Sequence, residues 1–137
     1  MKILRLLAAM LALAAALNAH ARGNVPIVNH EAIAATRASG QPATAEQIRN
    51  ALQLAGASRG WTITPAGNGK ALAVLDVRGK HSVSTEITYG PGKYAIKYRD
   101  SSNMNYEPGD GAGTIHPKYN MWVQKLIDDT RMQLLKP

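Results

Sequence analysis

The chain has 137 residues, no cysteine, seven aromatic side chains and a formal net charge of +7. This length predicts one domain with a single hydrophobic core, and the lack of cysteine excludes disulfide bonds as a source of stability. The basic residues are dispersed, with no basic cluster that interleaves aromatic residues, so we expect no nucleic-acid partner.

Residues 1–21 have the layout of a secretory signal peptide. Lys2 and Arg5 precede an apolar run from residue 6 to residue 17, and small residues end the segment at Ala21. The run is shorter than the roughly twenty residues that span a bilayer. We therefore expect cleavage near Ala21, a periplasmic or secreted product, and no stable membrane anchor after cleavage. That product would keep 14 Lys and Arg against 9 Asp and Glu.

Residues 22–43 show no stable hydrophobic period and are predicted to form a flexible leader. A single α+β domain is predicted to follow, from residue 44 to residue 137. It opens with a helix, because Thr44 and Gln47 have the spacing of a capping box. The buried stripe of this helix is predicted at Ile48, Ala51, Leu52 and Ala55.

Four strands are predicted next, as an antiparallel meander. Apolar and polar residues alternate from residue 81 to residue 89, and again from residue 94 to residue 99 after a Gly-Pro-Gly break. Successive side chains of a strand leave opposite faces, so Tyr94, Ile96 and Tyr98 are predicted to point into the core. The other face of the sheet is polar.

A second helix is predicted to begin at His116-Pro117, with a broad apolar stripe that includes Trp122 and Leu126. Neither helix has another apolar surface, so both must cover the same face of the sheet. The predicted fold is a two-layer α+β sandwich in the order α-β-β-β-β-α. In this arrangement Tyr94, Ile96 and Tyr98 share one layer with Trp122 and Leu126.

Two stretches resemble the signature of a family of small, uncharacterised proteobacterial envelope proteins, many of which look like lipoproteins. They are residues 94–106, YAIKYRDSSNMNY, and residues 115–122, IHPKYNMW. The resemblance extends over about residues 44–135 and implies an envelope location, but it carries no known reaction, ligand or catalytic residue. This chain differs from the lipoprotein-like members because it lacks the cysteine that would carry the lipid.

One candidate site is a polar cluster around His116. Asn120 follows one helical turn later, and Asp100 and Ser101 end the last long strand. In the functional interpretation, His116 is a base oriented by Asp100 in a hydrolytic or ligand-binding site. In the structural interpretation, His116 caps the helix, and Ser101 and Asn120 fix the loop at residues 107–113. No nucleophile elbow or paired carboxylates accompany the cluster, so we assign no catalytic residue.

A second candidate surface combines the polar sheet face with the loop after the last long strand. Its basic residues are Lys93, Lys97 and Arg99, and its loop residues are Asn103 and Tyr106. We expect such a surface to bind an envelope protein or an acidic envelope polymer, such as lipopolysaccharide or peptidoglycan. The alternative is that these charges serve solubility alone.

The histidines lack the spacing of a metal site, so no metal or cofactor is expected, and His81 is interpreted as a surface histidine. The function that these patterns predict is an exported, non-enzymatic interaction module of the cell envelope. The alternative is a small periplasmic hydrolase or ligand-binding protein centred on His116.

Overall fold

The computed structural model describes residues 23–137, so the predicted signal peptide lies outside the described residues. The α+β class predicted from the sequence is confirmed. In chain order the elements are β1 (Val25–Pro26), β2 (His30–Ala34), α1 (Ala45–Ser58), β3 (Trp61–Pro65), β4 (Lys70–Val77), β5 (His81–Gly90), β6 (Lys93–Ser102), β7 (Thr114–Ile115) and α2 (Lys118–Leu134).

The predicted four-stranded sheet and its α-β-β-β-β-α order are wrong, because the main sheet has five antiparallel strands in the order β2-β6-β5-β4-β3. The added strand, β2, comes from the range predicted to be a flexible leader. It pairs with β6 at His30–Ile96 and Ile33–Tyr94 and has an irregular register between these pairs. Without β2, the edge of β6 would leave unpaired backbone groups. The irregular register also breaks the alternation by which a strand is recognised in sequence.

Backbone hydrogen bonds hold the rest of that range against the domain. The Ala35 amide donates to the Gly92 carbonyl (2.9 Å), and the Gly92 amide donates to the Ala43 carbonyl (2.8 Å). Nearer the N-terminus, β1 pairs antiparallel with β7 in a separate two-stranded sheet. The segment before α1 is therefore joined to β6 of the main sheet through β2 and to β7 through β1.

The first helix begins as its sequence predicts. The Thr44 hydroxyl accepts a hydrogen bond from the Gln47 amide (3.1 Å), and the Gln47 side chain accepts one from the Thr44 amide (3.0 Å). This capping box satisfies two amides that the first turn leaves free. The stripe predicted for this helix is buried: Ile48, Ala51, Leu52 and Ala55.

Both helices cover one face of the sheet, and a single hydrophobic cluster lies between the two layers. Tyr94, Ile96 and Leu126 belong to this cluster, and Tyr98 and Trp122 pack against it, which confirms the layer predicted from the alternation. Within the described residues, neither helix combines the length and the apolar character that crossing a bilayer requires.

The second helix runs antiparallel to β6. Tyr94, near the start of β6, lies beside Thr130 in the last third of α2. Tyr98, further along β6, meets Tyr119 at the start of α2, with ring centroids 5.5 Å apart and an interplanar angle of 81°. This edge-to-face geometry is favourable for aromatic pairs. The start of α2 is therefore held at the end of the sheet where β6 finishes.

The buried Tyr94 makes the stability of the fold sensitive to alkaline pH. Burial raises the pKa of Tyr94 to about 12, an effect that a hydrogen bond with Thr130 partly offsets. The pKa of a tyrosine in an unfolded chain is about 10. The contribution of this group to stability is therefore complete below about pH 10 and is lost as the pH rises towards about 12.

We expect the free energy of unfolding of Tyr94→Phe to fall less than that of wild type between about pH 10 and pH 12. The expected difference is about 2.7 kcal/mol, which corresponds to two pKa units. Urea denaturation at a series of pH values measures this change. Tyr106→Phe, at an exposed tyrosine, is the matched control and should leave the slope unchanged. Equal slopes for wild type and Tyr94→Phe would contradict the assignment.

Candidate functional site

A β-bulge in β6 determines which face of the sheet Asp100 and Ser101 each occupy. Tyr98 is paired with Thr85, but the next pair along the two strands joins Asp100 to Ser84, so Arg99 is an additional residue in β6. The bulge shifts the alternation by one position. Asp100 therefore lies on the outer face of the sheet, away from the helices.

On the helix-covered face, the Ser101 hydroxyl lies 2.7 Å from the Tyr98 hydroxyl. On the outer face, the Asp100 carboxylate accepts a hydrogen bond from the Ser101 amide (2.8 Å). Tyr106 is exposed and stacks on Tyr98, with ring centroids 4.8 Å apart. Each of these predicted site residues therefore has a structural partner near the end of β6.

His116 and Asn120 also have structural partners. The His116 Nδ1 accepts a hydrogen bond from the Lys118 amide (3.1 Å) at the start of α2. Asn120 donates to the Pro26 carbonyl (2.9 Å) and accepts from the Val28 amide (3.1 Å), which ties the N-terminal segment to the helix. Among residues 23–137, no hydrogen bond joins the His116 side chain to those of Asp100, Ser101 or Asn120. The geometry therefore gives the hydrolytic interpretation no support.

The polar face of the sheet carries acids as well as bases. Lys97 lies opposite Glu86 on the neighbouring strand and 3.6 Å from the Glu31 carboxylate. Asp100 lies on the same face, and Lys93 lies at the start of β6. The surface predicted from Lys93, Lys97 and Arg99 is thus partly neutralised by its neighbours.

A stronger positive charge occurs at one end of the helix-covered side, where two short basic segments meet. Residues 78–80 form the β4–β5 turn and His81 begins β5, while residues 116 and 117 lead into α2, which begins at Lys118. Together they surround a cleft of about 420 Å³. We call this the basic cleft, and its lining residues are Val77, Arg78, Lys80, His81, Met104, His116, Lys118 and Trp122.

The charge of the basic cleft has one sign. Arg78, Lys80 and Lys118 supply three fixed positive charges, and two imidazoles lie beside them. In the described part of the chain, no Asp or Glu lines the cleft. Asp76 is at the same turn, where its carboxylate accepts the Gly79 amide (3.1 Å). Low-dielectric walls around like charges focus the field, so the cleft attracts anions.

Asn103, which directly follows β6, holds the β4–β5 turn in place. Its side chain donates to the Lys80 carbonyl (3.0 Å), and its own carbonyl oxygen lies 2.7 Å from the His81 Nδ1. Its φ of 58° is in the left-handed region, which Asn tolerates better than most residues. Asn103, predicted as a binding residue, is therefore a positioning residue for the turn.

Backbone contacts fix the tautomers of both imidazoles. A carbonyl oxygen only accepts hydrogen bonds, so the His81 Nδ1 carries a proton and the His81 Nε2 of the neutral ring is an acceptor. The His116 Nδ1 accepts the Lys118 amide, so the proton of the neutral ring is on the His116 Nε2. The cleft thus presents one imidazole acceptor and one imidazole donor.

Arg78 is in a strained backbone conformation. Its φ is 59° and that of Gly79 is 66°, as in the tight hairpin turns that favour Asn-Gly, and the Lys80 amide closes the turn on the Val77 carbonyl (3.1 Å). A residue with a Cβ in this region costs about 1–2 kcal/mol. Strain of this kind gathers at functional positions. The arginine is therefore an argument for a role of the turn beyond folding.

Metal binding is the other chemistry that two imidazoles and the Met104 thioether suggest. The three fixed cations oppose it, because a metal ion would add further positive charge to the cleft. Within residues 23–137, no group of three or more His, Asp or Glu side chains could hold a metal ion. The arrangement suits an anion instead.

Sequence reasoning named His116 but missed its neighbours Arg78, Lys80, Lys118 and Trp122. The signal was present as two short runs, RGKH at residues 78–81 and HPK at residues 116–118. Each run alone contains too few basic residues to be recognised as a cluster among the other basic residues of the chain. Only the packing of α2 beside the β4–β5 turn combines them.

Comparison of the chain with protein-family models, with curated proteins and with solved structures finds no match. The resemblance to envelope proteins therefore stays a prediction based on two motifs.

We expect Arg78→Asn to raise the free energy of unfolding by about 1 kcal/mol, because asparagine tolerates positive φ and the variant also relieves repulsion in the cleft. Lys80→Gln is the matched control, since it removes one positive charge from the same cleft and leaves the strained residue in place. Chemical denaturation at low and high salt separates the two effects. A loss of stability in Arg78→Asn at both salt concentrations would contradict the description of the turn.

Proposed function

We propose that the protein is an exported, non-enzymatic binding module of the cell envelope that holds an anionic group of its partner in the basic cleft. The partner is an envelope protein or an acidic envelope polymer. Export is supported by the signal-peptide layout of residues 1–21, and the envelope location by the family resemblance of the two motifs.

The observation that carries the proposal is the convergence of three fixed cations and two imidazoles around one cleft. Two unit charges 4 Å apart repel by about 1 kcal/mol in water and by more near low-dielectric walls. Arg78, Lys80 and Lys118 are exposed, so water and salt screen much of this repulsion, whereas the strain at Arg78 is a cost of the folded state. An anion bound in the cleft would turn the repulsion into attraction.

The solubility interpretation explains the cleft less well than it explains the sheet face. Charges that serve solubility are dispersed and mixed in sign, as on the outer face, where Lys97 has acidic neighbours. In the cleft the charges have one sign, and Asn103 fixes the turn that carries two of them. A fixed concave site is typical of ligand binding.

Two charge-reversed variants with the same change in net charge test the proposal. One carries Lys80→Glu and Lys118→Glu in the cleft, and the other carries Lys93→Glu and Lys97→Glu on the outer face. Both cleft positions are exposed, and an acidic residue in the first turn of α2 favours the helix. Circular dichroism should show both variants folded.

Co-sedimentation with lipopolysaccharide aggregates and with peptidoglycan sacculi then measures binding. We expect the cleft variant to bind at least about tenfold more weakly than wild type, and the outer-face variant to bind within about twofold of it. An equal loss in both variants would show general charge attraction and contradict the proposal. If neither polymer binds wild type, crosslinking in intact envelope is the second measurement, and wild type should recover a partner that the cleft variant loses. Recovery of the same partners by wild type and by the cleft variant would also contradict the proposal.

A further inference from the structure

We infer that the anionic group is a phosphate monoester carried on a sugar or a similar ring. This inference rests on the proposed function, since it names the chemistry of the ligand that the basic cleft would hold. Three features of the cleft support it: the number of fixed charges, the two imidazole tautomers and the apolar wall beside them.

The fixed charges match a phosphate monoester better than they match a carboxylate. A phosphate monoester carries about −1.5 to −2 charges at pH 7 and presents three acceptor oxygens. Arg78 offers a fork of N–H donors that fits two of these oxygens, and Lys80 and Lys118 add two mobile ammonium groups. A carboxylate offers one charge and two oxygens, so it would leave part of the repulsion in the cleft unrelieved.

The imidazoles add one donor and one acceptor that a phosphate monoester can match. The His116 Nε2 donates a hydrogen bond, and the neutral His81 Nε2 accepts one. A singly protonated phosphate monoester has a P–OH group that can donate to His81, and its remaining oxygens accept from His116 and the cations.

The cleft is larger than a phosphate group needs. Its volume of about 420 Å³ compares with about 10–15 Å³ for a cavity that holds one water molecule. The half-buried Trp122 and the buried Met104 form an apolar wall beside the cations. An indole face is suited to a sugar ring, because it covers the ring without needing a hydrogen bond.

A matched set of ligands tests the inference by isothermal titration calorimetry with the purified protein in phosphate-free buffer at pH 7. The probes are glucose 6-phosphate, glucose 6-sulfate, glucuronate, glucose and inorganic phosphate. We expect glucose 6-phosphate to bind about tenfold more tightly than the sulfate ester or glucuronate, which carry only one negative charge at neutral pH. Glucose should not bind, and inorganic phosphate should bind more weakly than glucose 6-phosphate.

Variants assign the binding to the cleft. Arg78→Asn and Lys118→Gln should each weaken glucose 6-phosphate binding about tenfold, the effect of one hydrogen bond to a charged group. Lys93→Gln removes the same charge from the outer face and should stay within about twofold of wild type. Trp122→Leu should weaken glucose 6-phosphate binding and leave inorganic phosphate binding unchanged.

The outcomes separate the two proposals. Equal affinities for phosphate, sulfate and carboxylate ligands would overturn the phosphate inference and leave the proposed function intact. Equal affinities for glucose 6-phosphate and inorganic phosphate would overturn the sugar part of the inference. If no anion binds, or if Lys93→Gln weakens binding as much as Arg78→Asn does, the basic cleft is not the site and both proposals are wrong.

Discussion

The packing of α2 along β6 is the interaction on which the rest of the structure depends. Tyr98 meets Tyr119 at the start of the helix, and Tyr94 lies beside Thr130 towards its end. These two contacts fix both the direction and the position of the helix. As a result, the residues that lead into α2 lie beside the β4–β5 turn, although nearly forty positions separate the two in sequence. The basic cleft exists because of this placement.

The cleft combines features that work against the stability of the chain alone. Arg78 is in a left-handed conformation, and three fixed cations share one concave surface. Asn103 stabilises the arrangement, because its side chain and its carbonyl oxygen both bond to the turn. Local strain that specific hydrogen bonds hold in place is typical of a binding site.

Much of the fold could be predicted because its signals are local. The capping box at Thr44 and the alternation of Tyr94, Ile96 and Tyr98 each depend on neighbouring residues, and both predictions are confirmed. Strand β2 could not be predicted, because its pairing with β6 is long-range and its register is irregular.

The site was predicted less well than the fold. Asp100 and Ser101 are consecutive residues of β6 and face opposite sides of the sheet, so they cannot act together beside His116, and the bulge at Arg99 puts Asp100 on the outer face.

The central claim is that the β4–β5 turn and the start of α2 form one anion site, and a heteronuclear NMR titration with glucose 6-phosphate tests it most directly. The account predicts chemical-shift changes at the backbone amides of residues 78–81 and 116–118 and at the Nε2 atoms of His81 and His116, all with one saturation curve. Resonances of Lys93 and Lys97 should stay in place. Shifts confined to the outer sheet face, or separate saturation curves for the two segments, would contradict the claim.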